Sequence, residues 1–312
     1  MRRVFALSLS LLLACSSGGL YAADVELEKT DAGVVVKLGG QPFTTYIFKS
    51  GAKPILWPII GPTGKEMTRA YPMRMGDATE KTDHIHQRSF WFTHGEVNGI
   101  DFWAETAKVQ GHIEHRELVK AESGPVGTIV TRNEWVGPDD AKVLADVRTL
   151  RFGTEGENRW IDFESKLTAL ADEVKFGDTK EGSFGLRIAE SMRTDRKLGG
   201  KIISSEGLED DKAWGKPAAW VDYHGPVAGE TVGIAIFNHP SSFRFPTHWH
   251  VRTYGLFAAN PFGEADFSGK KEETSHVMKK GESLELKYRV LFHRGDAKQG
   301  KVAEAYAQYS KQ

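Results

Sequence analysis

Histidine is concentrated in two short stretches of this 312-residue chain. His84, His86 and His94 fall within 11 positions, and His239, His248 and His250 within 12. Six of the 11 histidines thus occupy 23 positions, where an even spread would leave about one. Imidazole is the side chain suited to proton transfer near neutrality, and it is also a common metal ligand. Clusters of it mark where chemistry is to be sought.

The first window runs Thr82-Asp-His-Ile-His-Gln-Arg-Ser-Phe-Trp-Phe-Thr-His94 and continues through Asp101-Phe-Trp103. If His84–Arg88 is extended, His84, His86 and Arg88 share one face, with Asp83 on the other or at the strand end. Two imidazoles at that spacing suit a divalent metal, with His94 or a carboxylate as third ligand. They equally suit acid–base work, with Trp91, Trp103 and Asp101 as neighbouring contacts. A solvated strand whose histidines bond to backbone carbonyls is the plain alternative. In the second window His248, His250 and Arg252 again alternate, flanked by His239 and Asn260. There the plain alternative is that Trp249 and Val251 face the core and the histidines are merely exposed. Antiparallel strands can bring the two His-x-His-x-Arg patterns to one cleft. A third segment, Lys175–Arg187, is a glycine-broken charged loop entering a strand. Asp178, Lys180, Glu181 and Arg187 are its candidate ligand contacts, although charges at loop tips commonly only face water. Glu134, Glu164 and Glu190 are strand carboxylates that could form an acid–base pair.

Short apolar runs separated by Gly, Asp, Asn and Pro must position these residues. They include Gly33–Gly40, Thr44–Phe48, Gly127–Trp135, Val143–Phe152, Trp160–Leu167, Phe184–Met192, Ala219–Tyr223, Val232–Phe237 and Leu284–Phe292. Most alternate with period two or are β-branched and aromatic. Leu208–Lys216 reads as a loop with a helical turn. Only Ala297–Lys311 has a helical stripe, formed by Val302, Ala305, Tyr306 and Tyr309. The expected architecture is all-β, two large antiparallel sheets over residues 24–312 with a C-terminal helix. Composition agrees with a globular core: 40% hydrophobic, 11% aromatic, 27% charged, mean hydropathy −0.40. Lys+Arg 41 against Asp+Glu 42 gives no basic excess for nucleic acid or an anionic membrane surface. One cysteine excludes a disulfide framework and a thiolate zinc site.

That cysteine, Cys15, sits in the N-terminal segment. Met1-Arg-Arg followed by an apolar run over Val4–Ala14 reads as a signal peptide over residues 1–23, too short to span a bilayer. Leu12-Leu-Ala-Cys15 fits a lipobox, which would acylate Cys15; cleavage after Ala22 or Ala23 is the other route. Both imply export, to the periplasm or to the cell envelope as a lipoprotein. The lipid at Cys15 would be the membrane contact.

Several segments together resemble the DUF6807 family of exported bacterial proteins of unassigned function. They are Asp83-His-Ile-His-Gln-Arg, Trp91-Phe-Thr-His-Gly-Glu-Val-Asn-Gly, Asp101-Phe-Trp103, Phe176-Gly-Asp-Thr-Lys-Glu-Gly, Trp220-Val-Asp-Tyr-His-Gly, Asn238-His-Pro, Tyr254-Gly-Leu-Phe and Asn260-Pro-Phe-Gly263. Ile85 and Gln87 stand where the family usually has Pro and a further His. The family has carried the label of a methane oxygenase subunit, but no run of about 20 apolar residues is present for such a membrane component. The resemblance implies a galactose mutarotase-like supersandwich, in which a sugar lies on a sheet lined by His, Arg, Trp and carboxylates.

From these residues the expected function is a carbohydrate-active enzyme of lyase, epimerase or hydrolase type. His84 or His86 would be the base, His248 or His250 the acid, and Arg88 or Arg252 would stabilise negative charge. A non-catalytic glycan-binding lipoprotein is the alternative. A metal-dependent sugar-processing enzyme, with His84 and His86 as ligands, is a third. No phosphate loop, dinucleotide fingerprint or serine elbow supports an organic cofactor.

Overall fold

The computed structural model describes residues 24–271 and 274–312. The leader-like segment and Cys15 lie outside the described residues. The chain runs through β1 (Val25–Thr30), β2 (Gly33–Leu38), β3 (Gln41–Ser50), β4 (Lys53–Leu56), β5 (Phe90–His94), β6 (His112–Glu122), β7 (Gly127–Val136), β8 (Lys142–Glu155) and β9 (Asn158–Ala169). It continues through β10 (Glu173–Phe176), β11 (Gly182–Arg187), β12 (Lys201–Ser204), β13 (Trp220–Val227), β14 (Glu230–Asn238), β15 (His248–Val251), β16 (Leu256–Asn260), β17 (His276–Lys279) and β18 (Ser283–Arg294). Two short helices, α1 (Glu264–Ser268) and α2 (Val302–Tyr309), follow β16 and β18.

Two eight-stranded antiparallel sheets form the body, in the orders β1-β2-β3-β4-β5-β11-β16-β15 and β12-β13-β14-β18-β9-β8-β7-β6. Their facing sides are the apolar phases of the expected alternation. Phe90 and Phe92, Phe184 and Leu186, and Phe257 and Ala259 come from one sheet; Leu150 and Phe152, and Ile161 and Phe163, come from the other. They join one hydrophobic cluster between the sheets. The expected two-sheet architecture is therefore the one observed. Helix α2 presents the expected stripe: Val302 and Tyr309, with Ala305 and Tyr306 beside them, cover Ala235, Phe237 and Leu291 on the outside of the second sheet.

Two strand assignments differ from the sequence reading. The run Phe184–Met192 ends as strand at Arg187, because the Ala189 N–H turns to the Met67 carbonyl and Glu190–Met192 form a 3-10 turn. The polar segment His112–Glu122 is the long edge strand β6, whose charged residues face water and shield the open edge.

The outer face of the first sheet carries the candidate site. Register aligns Ile55 with Trp91, Trp91 with Gly185, Gly185 with Ala258, and Ala258 with His250, so one row crosses five strands. Ile55, Trp91, Trp103, Leu256 and Ala258 form a separate buried cluster on this face. A Cβ at Gly185 would lie 2.8 Å from the Trp91 indole, which is itself fully buried. The indole has nowhere to retreat, so Gly185→Ala is expected to lower stability by about 1–3 kcal/mol through overpacking. Urea unfolding followed by tryptophan fluorescence checks this; an unchanged midpoint would mean that the Trp91–Trp103 layer is loosely packed.

Candidate functional site

Residues 82–88 do not form the expected strand. His84 takes a left-handed conformation (φ 47°) and its carbonyl accepts the Gln87 N–H at 2.9 Å, making a tight turn. Two buried guanidiniums hold this turn from below. Arg69 donates to Asp83 Oδ1 (2.7 Å) and to the His84 carbonyl (3.0 Å). Arg187, at the end of β11, donates to Gln87 Oε1 (2.5 Å) and to Asp83 Oδ1 (3.2 Å). Burial alone would raise the Asp83 carboxyl; hydrogen bonds from His84 and Arg69 and the charge of Arg187 outweigh it and bring it to about 2. Gln87 is thus a neutral acceptor for a buried cation.

The turn directs both imidazoles into one cavity of about 390 Å³, lined by His84, His86, Gln87, Trp103, Ala104, Lys180, Glu181, His250, Arg252 and Tyr254. The two histidine windows therefore meet, although only the second contributes a strand. The His84 and His86 rings sit edge to face at 5.7 Å; His84 stacks on Tyr254 at 5.4 Å, and His86 lies 6.2 Å from Trp103. Asp83 Oδ1 is 3.1 Å from His84 Nδ1. On β15, Trp249 and Val251 face the core, which leaves His250 on the cavity side. His250 Nδ1 lies 2.7 Å from the Lys180 carbonyl. A carbonyl only accepts, so Nδ1 carries the proton and Nε2 keeps its lone pair.

Burial, aided by the Lys53 charge, brings His86 to about 3, and burial brings His250 to about 4 against the opposing Lys180 hydrogen bond. Both are neutral at pH 7. With its Nδ1 proton engaged by the Lys180 carbonyl, His250 has one free ring nitrogen, Nε2, which is an acceptor. Arg252 is poised between the Trp214 and Tyr254 rings, at 5.5 and 5.8 Å.

The other expected site residues support the cavity or lie elsewhere. Arg88 does not continue the imidazole face; it is locked to Glu105 through two hydrogen bonds of 2.8 and 2.6 Å. His94 points into the sandwich between the Gly177 carbonyl and Ser183 Oγ, so it cannot be a third ligand with His84 and His86. Among the described residues no group of three or more His, Cys, Asp or Glu converges to hold a metal ion. Asp101 accepts the Trp103 and Ala104 N–H groups and so orients Trp103 rather than facing the cavity. Trp91 packs beneath Trp103 at 5.2 Å. Asp178 accepts the Ala265 and Asp266 N–H groups at the start of α1, and Asn260 donates to the Thr179 carbonyl. Together they fix the loop that presents Lys180 and Glu181. His248 stacks on Phe267, and His239 bonds Ser241 beside Tyr309; neither lines the cavity. Glu134, Glu164 and Glu190 are held by Lys142 and Arg116, by Arg151, and by Arg193, and form no carboxylate pair. Tyr254, Gln87 and Arg69 were not singled out as site residues. Tyr254 lies in the turn between β15 and β16, where strand alternation does not apply, and Arg69 lies outside both histidine windows, so spacing marked neither.

A matched family model covers residues 33–307, and the chain belongs to that family, described as a family of unknown function, DUF6807. No curated protein matches the chain. Among solved structures it is similar to a GH36 α-galactosidase of Geobacillus stearothermophilus, with 12% identity and a TM-score of 0.42 over 88% of this chain and 41% of that one. It is also similar to an α-galactosidase of Lactobacillus brevis (10%, TM-score 0.40, 88% and 40%). The Slr1438 protein of Synechocystis sp. PCC 6803 is similar over 94% of this chain and all of its own length, at 9% identity and a TM-score of 0.39. The chain spans about two fifths of the length of these α-galactosidases.

The buried neutral histidines make acid stability a test of this geometry. Burial brings His94 to about 4, against the opposing Gly177 hydrogen bond, as it lowers His86 and His250. Each binds fewer protons folded than unfolded, so stability falls as pH drops below the ordinary 6.5 and continues to fall toward 4. His293 acts in reverse: burial lowers it, but Asp222 outweighs this and raises it, so its contribution is full below 6.5 and lost as pH rises. Burial lowers His115, His239, His248 and His276 as well, so His293 alone is opposed and the net effect is a loss on acidification, about 1.4 kcal/mol per pH unit for each proton excluded. Unfolding midpoints between pH 7 and 5 should decline, and His94→Gln should flatten the slope. A slope unchanged in that variant would show that His94 titrates freely.

Proposed function

We propose that this DUF6807 chain binds a carbohydrate in the His84–His86–His250 cavity and transfers protons on it, as a lyase, epimerase or hydrolase does. The observation that carries the reading is His250, a neutral imidazole in the cavity wall whose proton-bearing nitrogen is fixed by a backbone carbonyl. An imidazole oriented in this way presents Nε2 as a base, by the logic that orients histidines in hydrolytic triads. The Arg252 guanidinium stabilises the negative charge that forms when the sugar gives up a proton. His84, tied through Nδ1 to Asp83, stands across the cavity as the partner for the returning proton. Tyr254 supplies aromatic surface for the apolar face of a sugar ring. The leader-like segment through Ala23 supports action outside the cytoplasm, in the periplasm or as an envelope lipoprotein through Cys15.

A second reading, glycan binding without turnover, is favoured by one observation: His86 and His250 at about 3 and 4 are weak bases. Incubating the chain with a polysaccharide panel, and following new reducing ends, ultraviolet-absorbing unsaturated products and epimers, separates the two. His250→Gln is expected to lower kcat by about 10²–10⁴ while KM moves a few-fold, the signature of lost general acid–base catalysis. If wild type turns over no glycan that it binds, and His250→Gln only weakens affinity, the binding reading replaces the catalytic one.

A further inference from the structure

The cationic groups around the cavity are not matched by carboxylates. Arg69 and Arg187, both fully buried, converge on one carboxylate, Asp83. The remaining donors of Arg187 reach the neutral Gln87 oxygen or, for Nε, no partner at all. Glu80, the nearest further acid to Arg69, has its oxygens on the Ala70 and Tyr71 N–H groups. At the rim, Lys180 and Glu181 pair with one another at 3.3 Å. The ion pairs among the described residues leave Arg252, which lines the cavity, with ring faces but no carboxylate. A guanidinium held by two aromatic faces keeps its N–H edges for a planar or tetrahedral oxyanion.

Resting on the carbohydrate reading, we infer that the sugar taken here is acidic, and that Arg252 receives its carboxylate or sulfate group while the unsaturated Arg69–Arg187 pair favours the negative charge from below. The neutrality of His86 and His250 fits this arrangement. An uncharged imidazole adds no competing cation, and its lone pair can accept a sugar hydroxyl. A uronic acid and a sulfate ester share this oxyanion chemistry, and the experiment separates them.

The test uses the full mature chain and matched oligosaccharides: oligogalacturonate against its methyl ester, and a sulfated chondroitin oligosaccharide against both its desulfated and its carboxyl-reduced forms. Binding is measured by calorimetry at two salt concentrations. The expected result is a preference of about ten- to a hundredfold for an acidic member over its neutral partner, the range of one charge-assisted hydrogen bond. The preference should shrink in high salt. Arg252→Gln should abolish it while weak binding of the neutral partner persists, and Arg252→Lys, which keeps the charge, should retain part of it. Preference for oligogalacturonate over its ester, or for the chondroitin carboxylate, assigns the carboxylate; loss of binding on desulfation alone assigns the sulfate. Equal binding of acidic and neutral partners overturns the acidic-sugar inference and leaves the carbohydrate reading standing. Absence of binding to every glycan tested, in wild type and variants alike, overturns both.

Discussion

The site depends on one ionic contact: the half-exposed Asp83 carboxylate held by the buried guanidiniums of Arg69 and Arg187. A turn such as His84–Gln87 has no ladder of strand hydrogen bonds to fix it, and on an open sheet face it would sample many conformations. Two guanidiniums that also bond the His84 carbonyl and the Gln87 side chain supply the missing constraint. Removing the carboxylate would leave two buried guanidiniums without their shared counter-charge, which is costly. The left-handed His84 backbone is retained within this anchoring, and from it both imidazoles reach the cavity. Arg187 extends the same constraint to Tyr254, which it meets face-on at 4.9 Å and on which His84 stacks.

The sheet supplies the other half of the geometry. Because β5, β11, β16 and β15 are neighbours, residues far apart in the chain are brought into one transverse row. Gly185 and Ala258 are small, so the Trp91–Trp103 layer can lie close to the sheet, with Trp103 reaching the cavity. His250 is then oriented by the Lys180 carbonyl, whose loop is anchored by Asn260 and by Asp178 at the start of α1. Thus three segments distant in sequence, the turn, the loop and β15, are each held by hydrogen bonds to the sheet or to one another.

Much of the fold was legible in the sequence because burial on one side of a sheet writes an alternating pattern, as in Trp160–Leu167 and Leu284–Phe292. The stripe of α2 was legible for the same reason at a different period. The edge strand β6 was not, since a strand with little buried surface carries mostly water-facing charge. The meeting of the two histidine windows was legible from their shared composition. What misled was their shared spacing: His248-Trp-His250 alternates because it is a strand, whereas His84-Ile-His86 has the same spacing inside a turn. The difference lies in Arg69 and Arg187, contacts across the fold that no local pattern announces. Arg88 and His94 carry the right chemistry by type but are engaged with Glu105 and with Gly177 and Ser183, and side-chain type does not reveal such partners.

The charges around the cavity also bear on the state of its imidazoles. His86, desolvated in the cavity wall near the charges of Lys53 and Arg69, stays uncharged and so adds nothing to their positive charge. Neutral histidines and an unpaired Arg252 are therefore two expressions of one arrangement. The buried guanidiniums fix the turn, burial keeps His86 neutral with the Lys53 charge adding to the effect, and Arg252 is left without a carboxylate among the described residues.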